Sequence, residues 1–266
     1  MFRLTREVRF AINDGDDDDE QFTRPPSNSY GGYPSLIGYG RFYTLAVTLA
    51  GELDPATGYL RNIKEIDDAV RRRIIPAIRA DALGLSAPRP LTPFEQPVVA
   101  LGLLQSVLPQ TLVDAVRLSL SPFLSVSSLA SEHPMVRLSQ KFEFSASHRL
   151  HSAQLSDEEN RKCFGKCNNP NGHGHNYTLE VTATGPIDDA TGMVIDLVAL
   201  DTTVRSVLDT LDHKHIDREV PAFAEQTSTA ENLVVYLWGE LAPRLEGRLR
   251  HLKLWETNKN VFEYSA

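Results

Sequence analysis

The segment 172–197, GHGHNYTLEVTATGPIDDATGMVIDL, decides the fold because the chain contains it twice. Shifted by 134 positions, it aligns without a gap to residues 38–63, GYGRFYTLAVTLAGELDPATGYLRNI, with 12 identities in 26 pairs. The same offset pairs Phe10–Asp14 with Phe144–His148. Repetition of this extent at one offset indicates two copies of one supersecondary unit.

The pattern of apolar residues predicts the same order of elements in each copy. Four strands are expected in the second copy, at about 136–147, 174–184, 249–257 and 260–264, with a long irregular loop after the first. One predicted helix follows Asp196, its expected cap, and a second starts near Ser228, which forms a capping-box signature with Glu231. The prediction is an α+β fold of two tandem β-β-α-α-β-β units, each an antiparallel sheet with two helices on one face.

The domain organisation follows from the repeat. Residues 1–120 form the first copy and residues 135–266 the second. The serine-rich stretch 121–134, SPFLSVSSLASEHP, has a proline near each end and is interpreted as a linker. The acidic run Asp16–Glu20 predicts a solvated, partly disordered loop in the first copy.

Composition narrows the functional class. The chain has 266 residues and a net charge of −8, which argues against nucleic acid as the main partner. The most apolar stretch, 97–108, is too short to span a bilayer, and the start MFRLTREVRF lacks the apolar region of a secretory signal. Two cysteines exclude a disulfide-dense secreted scaffold. We therefore expect a cytoplasmic enzyme.

Three histidines of the second copy are candidate metal ligands. His173 and His175 are two residues apart on a predicted strand, so both imidazoles point to the same face. His148 directly follows the first predicted strand of this copy. At the offset of 134, the first copy has Asp14, Tyr39 and Arg41 in place of His148, His173 and His175. Joint loss is expected of ligands that share one ion, and three protein ligands leave a fourth position open, as in catalytic zinc sites.

Four motifs in the second copy resemble those of the 6-pyruvoyltetrahydropterin synthase family. They are FSASHRL at 144–150, FGKCNNPNGHGHNY at 164–177, LDHK at 211–214 and WET at 255–257. The resemblance covers residues 136–266. It implies the tunnelling fold, and residues 1–120 look like a degenerate second copy of the same unit.

The resemblance also implies roles for individual residues. His148, His173 and His175 would bind zinc, Cys167 would act as the catalytic base with Asp212 and His213 assisting, and Glu256 would anchor the pterin ring with Thr229 and Glu231 nearby. The implied reaction converts 7,8-dihydroneopterin triphosphate to 6-pyruvoyltetrahydropterin with loss of triphosphate. Cys163 has no counterpart role and is interpreted as incidental.

Assembly is a further implication of the resemblance. Family members join their sheets into barrels, so a homo-oligomer is expected, either a trimer or a hexamer of chains. Active sites in the family lie between subunits, so Asp212 and His213 can serve a neighbouring chain.

Two other functions stay open at this point. One is a related lyase that forms a 6-carboxytetrahydropterin or a 6-hydroxymethylpterin. The enzymes of deazapurine synthesis carry their cysteine nearer the first histidine of the pair, whereas Cys167 lies six residues before His173. The other is a non-catalytic protein that binds zinc or a pterin, which the joint presence of Cys167, Asp212, His213 and Glu256 disfavours.

Overall fold

A computed structural model describes residues 1–14, 27–108 and 112–266, which divide into two compact units. The N-terminal unit comprises Met1–Leu138 and Gly185–Val194. The C-terminal unit comprises Ser139–Thr184 and Ile195–Ala266. The acidic run Asp16–Glu20 lies outside the described residues.

The N-terminal unit combines a four-strand antiparallel run with helices. Its strands, which neighbour one another in the order β1-β2-β3-β4, are β1 (Phe2–Ile12), β2 (Arg41–Gly51), β3 (Leu112–Ser119) and β4 (Leu124–Leu129). Its helices are α1 (Ile63–Ala69), α2 (Ile75–Ala82) and α3 (Gln96–Val107), with a π-helical turn, Val70–Ile74, between the first two. A core cluster of apolar side chains from these strands and helices is almost fully buried.

The interpretation of residues 121–134 as a linker was wrong for part of this stretch. Residues Leu124–Leu129 form β4, which pairs with β3 from Ala115 to Ser119. Ser125, Val126 and Ser128 are buried there. Serine is small enough to occupy an interior sheet position, so the composition typical of a linker concealed a strand.

The C-terminal unit has the predicted order of two strands, two long helices and two strands. Its main strands, neighbours in the order β5-β6-β8-β9, are β5 (Val136–His148), β6 (His173–Gly185), β8 (Leu249–Thr257) and β9 (Asn260–Tyr264). Its long helices are α5 (Leu197–Leu208) and α7 (Ala230–Leu241). The antiparallel pairing of β6 with β8, and of β8 with β9, confirms a mixed α and β fold with an antiparallel sheet.

Shorter elements occur outside the predicted strands and helices. Helix α4 (Asp157–Phe164) lies within the loop between β5 and β6 and begins with a capping box of Ser156 and Glu159. The two-residue strand β7 (Lys214–His215) pairs in parallel with β5, and α6 (Ile216–Glu219) follows it. All three are short, and α4 is largely polar, so hydrophobic periodicity gave little signal for them.

The helix caps agree with the prediction in one case and differ in the other. Asp196 caps α5 by accepting hydrogen bonds from Val198 N at 2.7 Å and Ala199 N at 3.0 Å. The predicted cap Ser228 is wrong by one residue, because Thr229 caps α7 by accepting from Asn232 N. Ser228 is fully buried and has other partners.

One segment groups with a different unit than its place in the sequence suggested. Residues Gly185–Val194 belong to the N-terminal unit, although they lie within the predicted domain 135–266. Thr92 Oγ1 donates a hydrogen bond to Gly192 O at 2.8 Å. Gly192 has a φ of +66°, and a Cβ there would lie 2.4 Å from a methyl carbon of Thr92. Thr92 and Gly192 are 100 positions apart, so no local sequence pattern predicts this contact.

Local geometry recurs in the chain at the offset of 134. Each turn after the second strand is held by an aspartate whose Oδ1 accepts two backbone N–H groups two and three residues ahead. Asp54 accepts from Ala56 N and Thr57 N, and Asp188 accepts from Ala190 N and Thr191 N. The glycine that follows has a positive φ in both turns, +71° at Gly58 and +66° at Gly192.

Two contacts and one register shift on the strands recur in the same way. Phe10 stacks on Tyr43 with ring centroids 5.6 Å apart, and Phe144 stacks on Tyr177 at 4.9 Å. The hydroxyls of Thr5 and Thr48 are 2.9 Å apart, as are those of Ser139 and Thr182. The strand register shifts between Thr48 and Leu49 where β2 pairs with β3, and between Thr182 and Ala183 where β6 pairs with β8.

No helix in the described part of the chain is both long enough and apolar enough to cross a membrane.

Candidate metal and catalytic site

Strands β5 and β6 position the three histidines. Burial alternates along β5, so Phe142, Phe144, Ala146 and His148 all face the interior. On β6 the side chains of His173, His175 and Tyr177 alternate with Gly174 and Asn176. Because β5 and β6 are neighbours in the sheet, the end of one strand brings His148 to the start of the other.

The structure brings His148, His173 and His175 together. One ring nitrogen from each lies within 4.8 Å of the others. His148 Nε2 and His173 Nε2 are 3.2 Å apart. The ring centroids of His173 and His175 are 4.8 Å apart, with the rings nearly perpendicular. Three imidazoles whose ring nitrogens converge in this way can hold a single cation.

The ring of His148 is held by a buried backbone carbonyl. Its Nδ1 is 2.7 Å from Ser228 O, and the side chain is fully buried. A carbonyl oxygen only accepts, so Nδ1 carries the proton and the lone pair of the neutral ring is on Nε2. That nitrogen faces His173. A hydrogen bond of this kind on the second ring nitrogen is typical of metal-binding histidines.

The other two histidines have the properties that a metal ion requires. His173 Nδ1 and His175 Nε2 are buried and have no hydrogen-bond partner among the described residues. Burial lowers the pKa of both side chains, with the neighbouring histidines adding to the effect at His173. Both rings are therefore neutral at pH 7, the form that coordinates metals. A cation among the three rings would satisfy the unpaired Nε2 of His175, and the facing Nε2 atoms of His148 and His173 are further donors, so the donor set fits zinc.

Glu256 on β8 borders the histidine cluster. Its Oε1 lies 3.8 Å from His148 Nε2 and 3.8 Å from His175 Nε2. These distances are too long for hydrogen bonds. Its Oε2 accepts a hydrogen bond from Asn260 Nδ2 at 3.2 Å. The carboxylate thus lies beside the cluster, and its two oxygens keep acceptor sites for another molecule.

The predicted thiol Cys167 is held close to the strand that carries His148. It is part of a short 3₁₀ helix, Gly165–Asn168, and is partly exposed. Its carbonyl accepts a hydrogen bond from Leu150 N at 2.9 Å, two residues after His148. Asn168 Nδ2 also donates to Leu150 O at 2.7 Å. These bonds fix the backbone of the cysteine loop against the end of β5. Cys163 is exposed on α4.

Asp212 and His213 form a hydrogen-bonded pair after α5. His213 Nδ1 is 2.8 Å from Asp212 Oδ2, while Asp212 Oδ1 accepts from Ser145 N at 2.8 Å. The hydrogen bond from Ser145 N lowers the pKa of Asp212, burial partly opposes this effect, and the hydrogen bond with His213 lowers the pKa further. His213 has a φ of +56°, and its own N–H donates to Ser145 O at 2.6 Å. Its side chain is 82% exposed, so its Nε2 is open to another molecule.

A cavity of about 490 Å³ in the C-terminal unit is bordered by both parts of the predicted site. It is lined by Ser145, Ala146, Ser147, Gly174, His175, Asn176, His213, Lys214, His215 and Glu219. Cys167 and Glu256 are not in this lining. The structure thus places His175 and His213 on one cavity, the Glu256 carboxylate beside the histidine cluster, and the backbone of the Cys167 loop against the end of β5.

Thr229 and Glu231 lie at the start of α7. Thr229 is the helix cap, and Glu231 is exposed in the first turn. Sequence reasoning missed two residues beside the site. They are Asp217, which accepts a hydrogen bond from Arg149 N, and Ser228, whose buried carbonyl contacts His148. The first sits on the four-residue helix α6, where no motif indicated it. Ser228 carried a signal, because a serine before a helix is a polar anchor, but the signal was interpreted as a cap.

The fold and the three histidines define an α+β unit with a candidate metal site, and comparison with known proteins identifies its family. A family model described as 6-pyruvoyl tetrahydropterin synthase matches residues 137–266. The human protein named 6-pyruvoyl tetrahydrobiopterin synthase is 52% identical over 132 residues, which cover 49% of this chain and 91% of that protein. The chain belongs to the 6-pyruvoyl tetrahydropterin synthase family.

Two further relatives show similar coverage. The Drosophila melanogaster protein named 6-pyruvoyl tetrahydrobiopterin synthase is 48% identical over 137 residues, covering 50% of this chain and 82% of that protein. A solved structure of Caenorhabditis elegans 6-pyruvoyl tetrahydropterin synthase is 44% identical, with a TM-score of 0.49, and covers 50% of this chain and 96% of that one.

Proposed function

We propose that the chain is a zinc-dependent lyase that converts 7,8-dihydroneopterin triphosphate to 6-pyruvoyltetrahydropterin and releases triphosphate. The observation that carries this proposal is the convergence of His148, His173 and His175 within 4.8 Å, with a carboxylate and a thiol loop beside them. The similarity to proteins named 6-pyruvoyl tetrahydrobiopterin synthase supports the choice of substrate.

The three histidines would hold the zinc ion, with His148 oriented by Ser228 O. Bound zinc would polarise the hydroxyl oxygens of the substrate side chain and make the adjacent C–H bonds more acidic. The reaction moves hydrogen from the side chain to the pterin ring and needs no external reductant.

Cys167 is proposed as the base that removes a proton from the substrate side chain. A thiolate is the reactive form, and nearby positive charge favours it. The hydrogen bonds of Leu150 to the cysteine loop hold its backbone within two residues of His148. Cys163, exposed on α4, has no proposed role.

Asp212 and His213 are proposed to exchange a second proton with the substrate. The carboxylate of Asp212 accepts the Nδ1 proton of His213, which leaves Nε2 as the atom that transfers protons. The two backbone bonds to Ser145 fix both residues of the pair. Because the His213 side chain is so exposed, we propose that it acts in the site of a neighbouring chain of a homo-oligomer, a trimer or a hexamer.

Glu256 is proposed to bind the pterin ring, with Thr229 and Glu231 assisting. A carboxylate accepts two parallel N–H bonds from a guanidine-like edge, as it does from arginine. The Glu256 carboxylate lies 3.8 Å from two of the histidines, so a ring bound to it would place its side chain near the metal position.

The N-terminal part is proposed to be a degenerate copy of the same tunnelling-fold unit, so that residues 1–120 and 135–266 arose by duplication. The recurrent turns, aromatic stacks, hydroxyl pairs and register shifts at the offset of 134 support this. The copy lacks the proposed ligands and is assigned a structural role in the assembly.

The direct test incubates the zinc-loaded protein with 7,8-dihydroneopterin triphosphate and identifies the product by mass spectrometry. Wild type and Cys167→Ala are compared in parallel. Cysteine-dependent formation of 6-pyruvoyltetrahydropterin with released triphosphate is the expected result. A carboxy- or hydroxymethylpterin product would instead place the chain among the related lyases, and unchanged substrate would contradict a catalytic role on this compound.

A further inference from the structure

The carboxylate of Asp217 lies outside the histidine cluster but is linked to His148 in two ways. It forms hydrogen bonds with the backbone of the next residue, Arg149, and with Ser228, which contacts the His148 ring. Asp217 on α6 accepts a hydrogen bond from Arg149 N, directly after His148, at 2.6 Å. Its other oxygen accepts from Ser228 Oγ at 2.5 Å. Ser228 is the residue whose carbonyl accepts the Nδ1 proton of His148. One side chain thus fixes the backbone after the histidine and the residue that orients its ring.

We propose that Asp217 is a positioning residue of the metal site, acting through Ser228 and the Arg149 backbone to orient His148 and so to set the affinity for zinc. This inference rests on the metal site of the proposed function but not on the reaction. Both Asp217 contacts are accepted hydrogen bonds, which only the carboxylate form provides at both oxygens.

The residues that link Asp217 to His148 are buried, so a change at Asp217 should alter the position of the histidine ring. Ser228 and His148 are both fully buried, and Asp217 is only 21% exposed. Ser228 directly precedes the α7 cap Thr229, and Asn232 Nδ2 donates to Thr227 O at 2.8 Å on the other side. The Ser228 carbonyl is therefore held from both chain directions. Without Asp217, the hydroxyl of Ser228 loses its anchor and the peptide can rotate away from His148.

Removal of an outer partner of a metal-binding histidine typically weakens metal affinity about 10–100-fold. We expect Asp217→Ala to weaken zinc binding by that range, measured by competition with a chromophoric chelator. Asp217→Asn keeps one acceptor and is expected to have an intermediate effect. The absorption spectrum of the cobalt-substituted protein should also change in Asp217→Ala, because the orientation of one ligand changes.

Glu219 provides a matched control on the same four-residue helix. Its Oε2 accepts a hydrogen bond from His215 N at 2.6 Å, so it too anchors backbone with a carboxylate. Glu219→Ala removes the same charge and one anchor of this helix. The Glu219 side chain has no described hydrogen bond to Ser228 or Arg149. Its zinc dissociation constant should stay within about threefold of wild type, well below the expected effect of an outer partner.

Three outcomes would overturn the inference. The first is that Asp217→Ala and Glu219→Ala bind zinc with equal affinity. The second is that the metal-free Asp217→Ala protein has a lowered unfolding midpoint but an unchanged zinc affinity. The third applies if Asp217→Ala does not fold, and it is an unchanged zinc affinity of Ser228→Ala. The last variant removes the hydroxyl and keeps the carbonyl. If the wild type itself bound no zinc, the proposed metal site would be wrong; if wild type and variants bound equally well, only the role of Asp217 would be wrong.

Discussion

Arg41 and Asp14 form an ion pair, with 2.6 Å between Arg41 Nη2 and Asp14 Oδ1, at the positions that correspond to His175 and His148. The position corresponding to His173 is Tyr39, whose side chain is fully exposed. The N-terminal unit therefore carries a fixed cation where the C-terminal unit has converging imidazole nitrogens. A guanidinium group has no lone pair to offer a metal ion, so this position cannot supply a ligand.

The chain should accordingly bind one zinc ion. His175→Ala removes a ligand and should weaken zinc binding by more than the roughly 10–100-fold loss typical of outer partners. Arg41→Ala, at the equivalent place in the other copy, should leave the content at one ion per chain. Elemental analysis after dialysis measures both. Two ions per wild-type chain, or full zinc content in His175→Ala, would contradict the assignment.

Cys167→Ala should lose catalysis while it retains zinc. A positioned general base contributes roughly 10²–10⁴-fold, so kcat for 6-pyruvoyltetrahydropterin formation should fall within that range. Cys163→Ala removes the neighbouring exposed thiol and should keep normal kcat. Product formation is followed by chromatography, with zinc content measured on the same samples. Comparable losses in the two variants would argue that the thiols act on folding and not on the substrate.

Mixed oligomers test whether His213 serves a neighbouring chain. Neither Cys167→Ala nor His213→Ala should be active alone, because each lacks one proton-transfer group. Co-expressed chains should recover activity, since some sites then combine an intact thiol with an intact histidine from another chain. Separately purified and unmixed variants provide the baseline. Activity no higher than that baseline in verified mixed oligomers would place both groups in the site of one chain.

The metal-free protein should lose stability as the pH falls below about 6.5. His173 and His175 have pKa values lowered from the usual 6.5 in the folded state, mainly by burial. The unfolded chain therefore takes up protons first, and stability is fully present above 6.5 and decreases as pH falls toward the folded values. Urea unfolding at pH 7.5 and 5.5 measures this. His173→Ala with His175→Ala should show a smaller difference between the two pH values.

The strands and the histidine cluster could be predicted because their signals are local or repeated. Alternating apolar residues define β5 and β6, and the i, i+2 spacing of His173 and His175 places both on one face. Comparison of the two copies then identified His148, which lies 25 positions before His173.

Other features depend on contacts that the sequence does not record. Asp217 reaches Arg149 across 68 positions, and the role of Ser228 depends on His148, 80 positions away. The burial of serines in β4 and the grouping of Gly185–Val194 with the N-terminal unit are likewise set by tertiary packing. His213 adopts a positive φ that is unusual for a residue with a side chain, and it does so where Asp212 and His213 each form a hydrogen bond with the backbone of Ser145.

The turns at Asp54 and Asp188 have the same hydrogen bonds, so each molecule contains two copies of one turn geometry that can be compared directly. A property that depends on the shared backbone geometry should be observed twice per molecule, and one that depends on imidazole chemistry should be observed once. Probes placed at equivalent positions of the two turns would therefore report the shared backbone geometry twice within a single sample, without a second protein for comparison.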